Sequence, residues 1–230
     1  MVGTFDKPIG VAVAPNGDVF VAEPWKSLVK KIPKSTGTPI IIGSGFGVPT
    51  FISLASNGDV YVTDSSIGVQ GSSYQGSFVK KIPGGSGTVT VTVYHTLKFV
   101  RGLCVTLNGD IYVTEDGKVI RMPGGSGRIE IRFPSYFTPS AVAVSSAGTI
   151  YAVDGRNSFV AIVKPGETEF SDFLCGGCLY LSNAIFASPG GDLYFIDSYL
   201  RKVFKHSGST GAITSINSGL LALAGVWATC

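Results

Sequence analysis

Five acidic residues recur at one position of a repeated sequence, and carboxylates gathered on one face could bind a cation or a basic partner. Because every repeat carries one, a structural role is the more economical hypothesis, in which each carboxylate accepts hydrogen bonds from its own tight turn. A unique site would need residues that are found in one repeat alone. We therefore predict neither a metal site nor a catalytic residue among them. The five residues are Glu23, Asp64, Glu115, Asp154 and Asp197.

A Cys-x-x-Cys pair, Cys175 and Cys178, is the second group with potential chemistry. That spacing suits a redox dithiol, one half of a zinc site or a local disulfide. A zinc site needs four ligands, but the chain has no second such pair, and its two histidines, His95 and His206, belong to different repeats. Redox catalysis would also favour a helix start behind the first cysteine, and no helix is predicted there. We therefore expect a structural loop, in which a disulfide could join Cys175 and Cys178.

One connection between predicted strands is much longer than its counterparts. Residues 65–77 separate Asp64 from Phe78, whereas the first repeat has only residues 24–27 at that point. Insertions in repeat proteins lie in loops of one face, which is often the binding face. Amide and aromatic side chains there would suit a sugar, a peptide or another polar ligand, although a surface insertion without function is an equal alternative. The predicted ligand-binding residues are Trp25, Gln70, Tyr74 and Gln75.

Nucleophilic catalysis has little support in this chain. There is no Gly-x-Ser-x-Gly elbow, and two scattered histidines leave few candidates for a general base. We predict no catalytic residue and no cofactor.

The bulk composition also narrows the class of protein. The 230 residues are 44% hydrophobic and 14% charged, with a formal net charge of +3. A nucleic-acid-binding surface would be more basic, so we do not expect a nucleic-acid partner. No stretch reaches the roughly 20 apolar residues of a membrane span, and residues 1–7 lack the pattern of a secretory signal. The sequence fits either a cytoplasmic protein or a mature portion of a longer one, and its Gly/Ser/Thr-rich, charge-poor repeats would also suit an extracellular module, so it assigns no compartment.

Basic side chains recur on the predicted third strand of each repeat. RNA binding would need aromatic platforms between concentrated charges. Here the basic residues are spread over the repeats, and solvated lysines that discourage pairing at strand edges explain them at least as well. They are Lys30, Lys31, Lys80, Lys81, Arg121, Lys164, Lys202 and Lys205.

The elements that must position these side chains are short strands with a long repeat. In the first repeat four apolar or alternating segments cover residues 10–14, 18–22, 28–32 and 38–42. The first two are joined by Asn-Gly, which predicts a two-residue type I′ hairpin. Equivalent glycines recur about every 40–50 residues, a period typical of the blades of a β-propeller. They are Gly17, Gly58, Gly109, Gly148 and Gly191.

Three segments carry a resemblance to the NHL-repeat family. They are Pro8-Ile-Gly-Val-Ala-Val13, Val60-Tyr-Val-Thr-Asp64 and Phe78-Val-Lys-Lys-Ile82, and the resemblance extends over about residues 5–217. It implies an all-β propeller of four-stranded blades, commonly six of them. We predict a single propeller domain over residues 1–230, with five complete blades at about 5–45, 46–95, 96–134, 135–178 and 179–217.

Residues 218–230 follow the fifth repeat, and residues 220–230 within them resemble the opening strand of a sixth. Either the ring closes at five blades with this segment as an irregular seal, or the chain carries a partial sixth blade. The second interpretation is favoured by the six blades that the family resemblance implies. Such a strand could also mediate self-association through residues 220–230.

Three functions are compatible with this architecture. The preferred hypothesis is a non-enzymatic binding or scaffold module that presents one loop face to a protein, peptide or glycan. The first alternative is a metal-dependent hydrolase, because propeller lactonases, to which the architecture is distantly similar, hold a calcium ion through carboxylate and amide ligands; Asn183 is one candidate ligand here. The second alternative is a structural subunit that is joined to its neighbours through the incomplete blade.

Overall fold

In the computed structural model the described residues form twenty β-strands in five antiparallel sheets, and these sheets are the blades of a β-propeller. Within every sheet the four strands pair in chain order, so each blade is one continuous part of the sequence. The predicted all-β propeller of four-stranded blades is confirmed. The structure describes residues 5–65, 76–85, 91–97, 100–154, 156–157, 159–176, 184–197, 200 and 202–217. The predicted extra strand over 218–230 lies outside them.

The strands are short, and their bounds follow the predicted period. Blade one contains β1 (Val11–Val13), β2 (Val19–Glu23), β3 (Leu28–Ile32) and β4 (Ile40–Ser44). Blade two contains β5 (Pro49–Leu54), β6 (Val60–Ser65), β7 (Ser77–Ile82) and β8 (Val91–Leu97). Blade three contains β9 (Leu103–Val105), β10 (Ile111–Glu115), β11 (Lys118–Met122) and β12 (Ile129–Arg132). Blade four contains β13 (Ala141–Val144), β14 (Ile150–Asp154), β15 (Phe159–Val163) and β16 (Asp172–Gly176). Blade five contains β17 (Ile185–Ala187), β18 (Leu193–Asp197), β19 (Lys202–His206) and β20 (Ile213–Asn217). Single 3-10 turns cover Pro24–Lys26, Pro83–Gly85 and Pro123–Gly125.

The hairpin between the first two strands of a blade is not the predicted type I′ turn. In blade one Gly17 has a positive φ of 87°, but Asn16 is not among the described residues with a left-handed backbone. Ala14 exchanges backbone hydrogen bonds with this loop, donating to Asp18 and accepting from Gly17. This is the pattern of a three-residue loop in which glycine occupies the bulge position. The side chain of Asn16 instead accepts a hydrogen bond from the amide of Asp18 (3.0 Å), so asparagine serves the turn through its amide group.

Each blade has two apolar faces, because alternate residues of a strand point to opposite sides. We call them the preceding face and the following face, after the neighbouring blade that each one contacts. The following face of blade one packs on the preceding face of blade two, and the same arrangement joins blades two to five. At the first of these interfaces the buried residues are Ala12, Phe20, Ala22 and Val29 against Ile52, Leu54, Val60, Val62 and Ile82.

Small residues let the innermost strands approach each other at the propeller axis. A Cβ atom on Gly10 would lie 2.2 Å from the carbonyl oxygen of Thr50, and one on Gly102 would lie 2.9 Å from Cα of Ala141. Blade two has Phe51 at the same repeat position. Its ring packs both on the cluster between blades two and three and on the cluster between blades four and five, so one aromatic side chain joins opposite sides of the axis.

A carboxylate at the start of the second strand anchors the turn that joins the third and fourth strands of the same blade. Asp18 forms an ion pair with Lys31 (2.8 Å) and accepts a hydrogen bond from the amide of Lys34 (2.9 Å). The hydrogen bond from Lys31 is the main cause that lowers the pKa of Asp18 to about 2. Since that pKa is lower than in an unfolded chain, the associated stability is present above about pH 4 and is lost as the pH falls towards 2.

The same ion pair between the second and third strands recurs in blades two, three and five. In blade four neither of its two partners is present. The ion pairs are Asp59–Lys81 (3.2 Å), Asp110–Arg121 (2.7 Å) and Asp192–Lys205 (2.7 Å). Blade four replaces both partners, with Thr149 and Ile162 at the two positions. The solvated-edge explanation for the third-strand lysines is therefore wrong for these residues: the third strand lies inside the sheet, and its basic side chains are bound to carboxylates of the second strand.

We expect Gly10→Ala to destabilise the propeller by about 1–3 kcal/mol, because the added methyl group would overlap the backbone of the next blade. Gly190→Ala is the matched control, since the nearest atom to its added Cβ would be 3.8 Å away and its φ is not in the left-handed region. Urea unfolding of both variants measures the difference. Equal losses of unfolding free energy would contradict the close approach at the axis.

In blade four, Thr149 and Ile162 stand in place of the ion pair. We expect the same replacement to be tolerated in blade three only when both residues are changed together. Asp110→Thr and Arg121→Ile should each destabilise the protein, because each leaves one partially buried charge without its partner. The double variant should cost less than the sum of the two, with a coupling free energy of about 1 kcal/mol. Thermal or urea unfolding of the four proteins measures it, and strict additivity would show that the pair is not coupled.

Candidate functional site

Two ends of the propeller carry different connections. The hairpin face carries the glycine turns described above. The opposite end, which we call the inter-blade face, carries the connection between the second and third strands of each blade and the connections from one blade to the next. The predicted binding loops and the five recurring carboxylates all belong to the inter-blade face. The site is therefore built from this face.

The five recurring carboxylates are buried, and hydrogen bonds in the protein account for them. Asp64 accepts hydrogen bonds from the amides of Gly47 (3.0 Å) and Val48 (2.8 Å), and Lys80 forms an ion pair with it. It thus connects the end of β6 to the segment that leads into β5. A carboxylate that is enclosed by two amides and an ammonium group has a structural role, but its amide donors belong to the segment before β5 and not, as the sequence predicted, to its own turn.

Related contacts occur in the other blades. Glu23 accepts a hydrogen bond from the amide of Asp6 (2.7 Å) and pairs with Lys30; burial raises its pKa, but these two partners outweigh burial and lower it. Asp154 accepts hydrogen bonds from the amide of Thr138 (2.8 Å) and from its own turn. Asp197 accepts a hydrogen bond from the amide of Leu200 (2.7 Å). Glu115 pairs with Arg128 at 2.6 Å.

Trp25 is the predicted ligand-binding residue that the structure describes, and it is exposed. It lies in the 3-10 turn Pro24–Lys26, which ends at Ser27 with a left-handed backbone (φ 56°). The Trp25 side chain is 72% exposed, and the ammonium group of Lys7 lies 4.9 Å from the centre of its ring. An exposed indole beside a cation is a ready contact surface for a ligand.

The base of the long insertion lies beside the Trp25 turn. Ser65 and Ser77 pair at the ends of β6 and β7 that lie at the inter-blade face, so the insertion leaves the sheet directly after Ser65. Ser27 donates a hydrogen bond to the carbonyl of Gly47 (3.0 Å), and Gly47 in turn donates to Asp64. The two loops therefore rise from neighbouring positions. Gln70, Tyr74 and Gln75 lie outside the described residues, as do Cys178 and the candidate calcium ligand Asn183.

A polar cavity of about 330 Å³ lies on the same face between blades three and four. Its charged lining consists of two exposed arginines, Arg101 and Arg156, and one exposed carboxylate, Asp116, with Thr138 and Pro139 beside them. Two guanidinium groups against one carboxylate favour an anionic group of a ligand, since arginine binds carboxylates through paired donors.

The sequence contained a signal for this cavity that the repeat analysis did not use. Arg156 stands two residues after Asp154, as Trp25 stands two residues after Glu23, so the two residues occupy equivalent turns of different blades. Both are exposed, and Arg156 is the basic residue at this position, where the other repeats have Trp25, Ser66, Gly117 and Tyr199. Non-repeated side chains in a repeat are candidates for function, and a comparison of turns position by position would have found Arg156.

The described residues give little support for metal binding or for redox chemistry at cysteine. No group of three or more His, Cys, Asp or Glu side chains there is placed to hold a metal ion. Cys104 is fully buried in β9 and is disulfide-bonded, with a partner outside the described side chains. The Cys175–Cys178 disulfide stays a prediction.

The described histidine side chain lies far from the candidate site. His206 ends β19 at the hairpin face, where it pairs with Leu193, and burial lowers its pKa. No helix within the described ranges is long and apolar enough to cross a membrane.

Comparison with known proteins identifies the fold. No protein-family model matches the chain, and neither does any curated protein. Among solved structures, virginiamycin B lyase from Staphylococcus aureus aligns over 91% of this chain and 69% of its own, with 16% identity and a TM-score of 0.69. The nidogen/laminin complex aligns over 91% and 78%, with 16% identity and a TM-score of 0.73.

A third neighbour is the PQQ-bound aldose sugar dehydrogenase from Streptomyces coelicolor, which aligns over 95% of this chain and 83% of its own at 16% identity and a TM-score of 0.66. At such identities the likeness shows the fold alone. The NHL-like propeller that the sequence predicted is confirmed. The neighbours include enzymes and a component of a protein complex, so the fold is compatible with both classes of function.

We expect Asp64→Asn to destabilise the protein by about 2–4 kcal/mol, because an amide nitrogen would face backbone donors and Lys80 would lose its partner. Asp116→Asn is the control on the same face, and its exposed side chain should cost less than about 0.5 kcal/mol. Added calcium should leave the melting temperature of the unmodified protein unchanged. A calcium-dependent rise that Asp64→Asn abolishes would instead identify a metal site.

Proposed function

We propose that this chain is a non-enzymatic binding module whose inter-blade face takes an acidic segment of a protein or peptide. The observation that carries the proposal is the coexistence, on one face, of an exposed aromatic residue, Trp25, and a cavity lined by Arg101 and Arg156. A glycan would suit this site only if it carried an acidic group, because the cavity favours an anion.

The aromatic side chain supports binding of a macromolecule. Tryptophan and arginine are the residues that most often dominate the binding energy of protein interfaces. The ring of Trp25 is 72% exposed and lies beside the ammonium group of Lys7. An aromatic or proline side chain of a ligand could pack on the free part of this ring.

The charges of the face support an acidic ligand. The recurring carboxylates are buried and bonded, so they add little exposed negative charge to the surface. Lys7, Arg101 and Arg156 are exposed, and Asp116 is the carboxylate that lines the cavity with the two arginines. Association with an acidic segment should therefore weaken as salt is added.

An enzymatic function is the alternative, because the structural neighbours include a lyase and sugar dehydrogenases, although none of these is described as a hydrolase. One form of virginiamycin B lyase, described as catalytically inactive, carries alanine in place of a histidine. In this chain His206 lies at the end of its blade away from the inter-blade face, and the described residues include no cluster of metal ligands. Turnover on ester or lactone substrates is the result that would favour the hydrolase alternative.

The test is a screen of acidic, neutral and basic peptides together with acidic and neutral oligosaccharides, followed by calorimetric titration of the best binder. Trp25→Ala and Arg156→Ala should each weaken binding about tenfold or more, as expected for central interface residues. Leu107→Ala and Lys34→Ala, on the hairpin face, are matched apolar and basic controls and should leave the affinity unchanged. Binders that are insensitive to the first two variants, or preference for basic ligands, would refute the proposal.

A further inference from the structure

The following face of blade five is not covered as its counterparts are. Val203 is half-buried, whereas the equivalent Val29, Val79, Val119 and Val160 are completely buried by the next blade. The face borders an apolar cavity of about 410 Å³, and all the described residues that line it belong to blade five. They are Ala184, Phe186, Ser188, Pro189, Tyr194, Phe195, Ile196 and Val203.

The preceding face of blade one is open in the same way. Val13 is 46% exposed, while its counterparts Leu54, Val105, Val144 and Ala187 are all buried. Near the axis, however, Val11 packs on the cluster that joins blades four and five. We call the gap between blades five and one the seam; it is bounded by the cavity-lining residues above and by Val13.

The seam is lined by apolar and aromatic side chains, which are typical of an interface. Phe186 stands where blades one to four have Ala12, Ser53, Cys104 and Ala143, so blade five carries a larger apolar side chain than any of them. Terminal units of repeat proteins normally present a polar outer face to water. An outer face with an aromatic side chain at this position is instead built to be covered, since exposed apolar patches of this kind mark contact surfaces.

We propose that residues 218–230 of this same chain fill the seam, with an inner strand near 222–227 between β17 and β1. The spacing of the other blades supports this position. Residues 45–48, 98–102, 133–140 and 177–184 separate an outer strand from the next inner strand, which is a separation of four to eight residues. Applied after Asn217, the same separation places the start of the next inner strand between residues 222 and 226.

The composition and length of the segment fit the seam. Residues 218–230 contain no charged side chain, and residues 220–224 are Leu-Leu-Ala-Leu-Ala. The distance from the outermost to the innermost strand of a blade is three strand spacings, about 14 Å, whereas thirteen extended residues reach about 43 Å. The segment can therefore cross blade five and still place several apolar residues in the cavity.

Trp227 supplies a direct probe, because Trp25 is the other tryptophan of the chain and can be removed. In the full-length Trp25→Phe variant we expect Trp227 fluorescence to be blue-shifted and several-fold less sensitive to acrylamide than the fluorescence of a free peptide of residues 218–230. Phe186→Glu or Val13→Lys in that background should red-shift the emission by placing a charge in the seam. Leu107→Glu, an exposed position on the hairpin face, is the control and should leave the emission unchanged.

Light scattering of the same samples distinguishes two cases: residues 218–230 bound in the seam of their own chain, and the same residues bound in the seam of a second copy. The proposal predicts the protected fluorescence in a monomer of 24.0 kDa, independent of protein concentration. Protection that appears only in an oligomer would mean that the segment enters a neighbouring molecule, and it would overturn the proposal. Solvent-exposed Trp227 in the folded Trp25→Phe protein would overturn it as well, whether or not the seam variants fold.

Discussion

The structure depends on one constraint, that each blade must bury two apolar faces at once. A four-stranded sheet of this size is not stable with both faces in water, and burial of its aliphatic side chains against its neighbours supplies the main stabilising free energy. The ring arrangement meets this constraint for blades two, three and four by giving each of these sheets two neighbours, whereas blades five and one each leave one face partly uncovered at the seam. Gly10 and Gly102 follow from it, because blades that pack closely along their faces must also approach each other at the axis.

The same constraint separates structural from functional polar residues. Carboxylates at the start of the second strand hold the outer turns, and those at its end hold the connections between blades. Both sets recur because every blade has the same ends to fix. What is left for ligands is the set of exposed side chains on the inter-blade face, notably Trp25, Arg101 and Arg156.

The sequence predicted the architecture well, since strand periodicity and the turn glycines are local signals that repeat five times. The predicted hydrogen bonds from a carboxylate's own turn are found for Asp154 and Asp197, whereas Glu23 and Asp64 instead accept hydrogen bonds from segments before the first strand of their blade. The prediction from sequence was wrong on the hairpin type, because the turn depends on a single left-handed glycine and on the side chain of Asn16. It missed the pairing of Lys31 with Asp18 and the cavity of Arg101 and Arg156, because these depend on cross-strand register and on packing between blades that no local pattern encodes.

Hydrogen exchange of the inner strands in the intact chain tests the burial constraint most directly. Amide protection reports the local free energy of opening, so strands with equal coverage should exchange at similar rates. If every blade must have both faces covered, β1 and β17 will be protected as strongly as β5, β9 and β13. Rapid exchange in β1 and β17, with protection confined to the other three, would show that the propeller tolerates an uncovered face and would contradict the account.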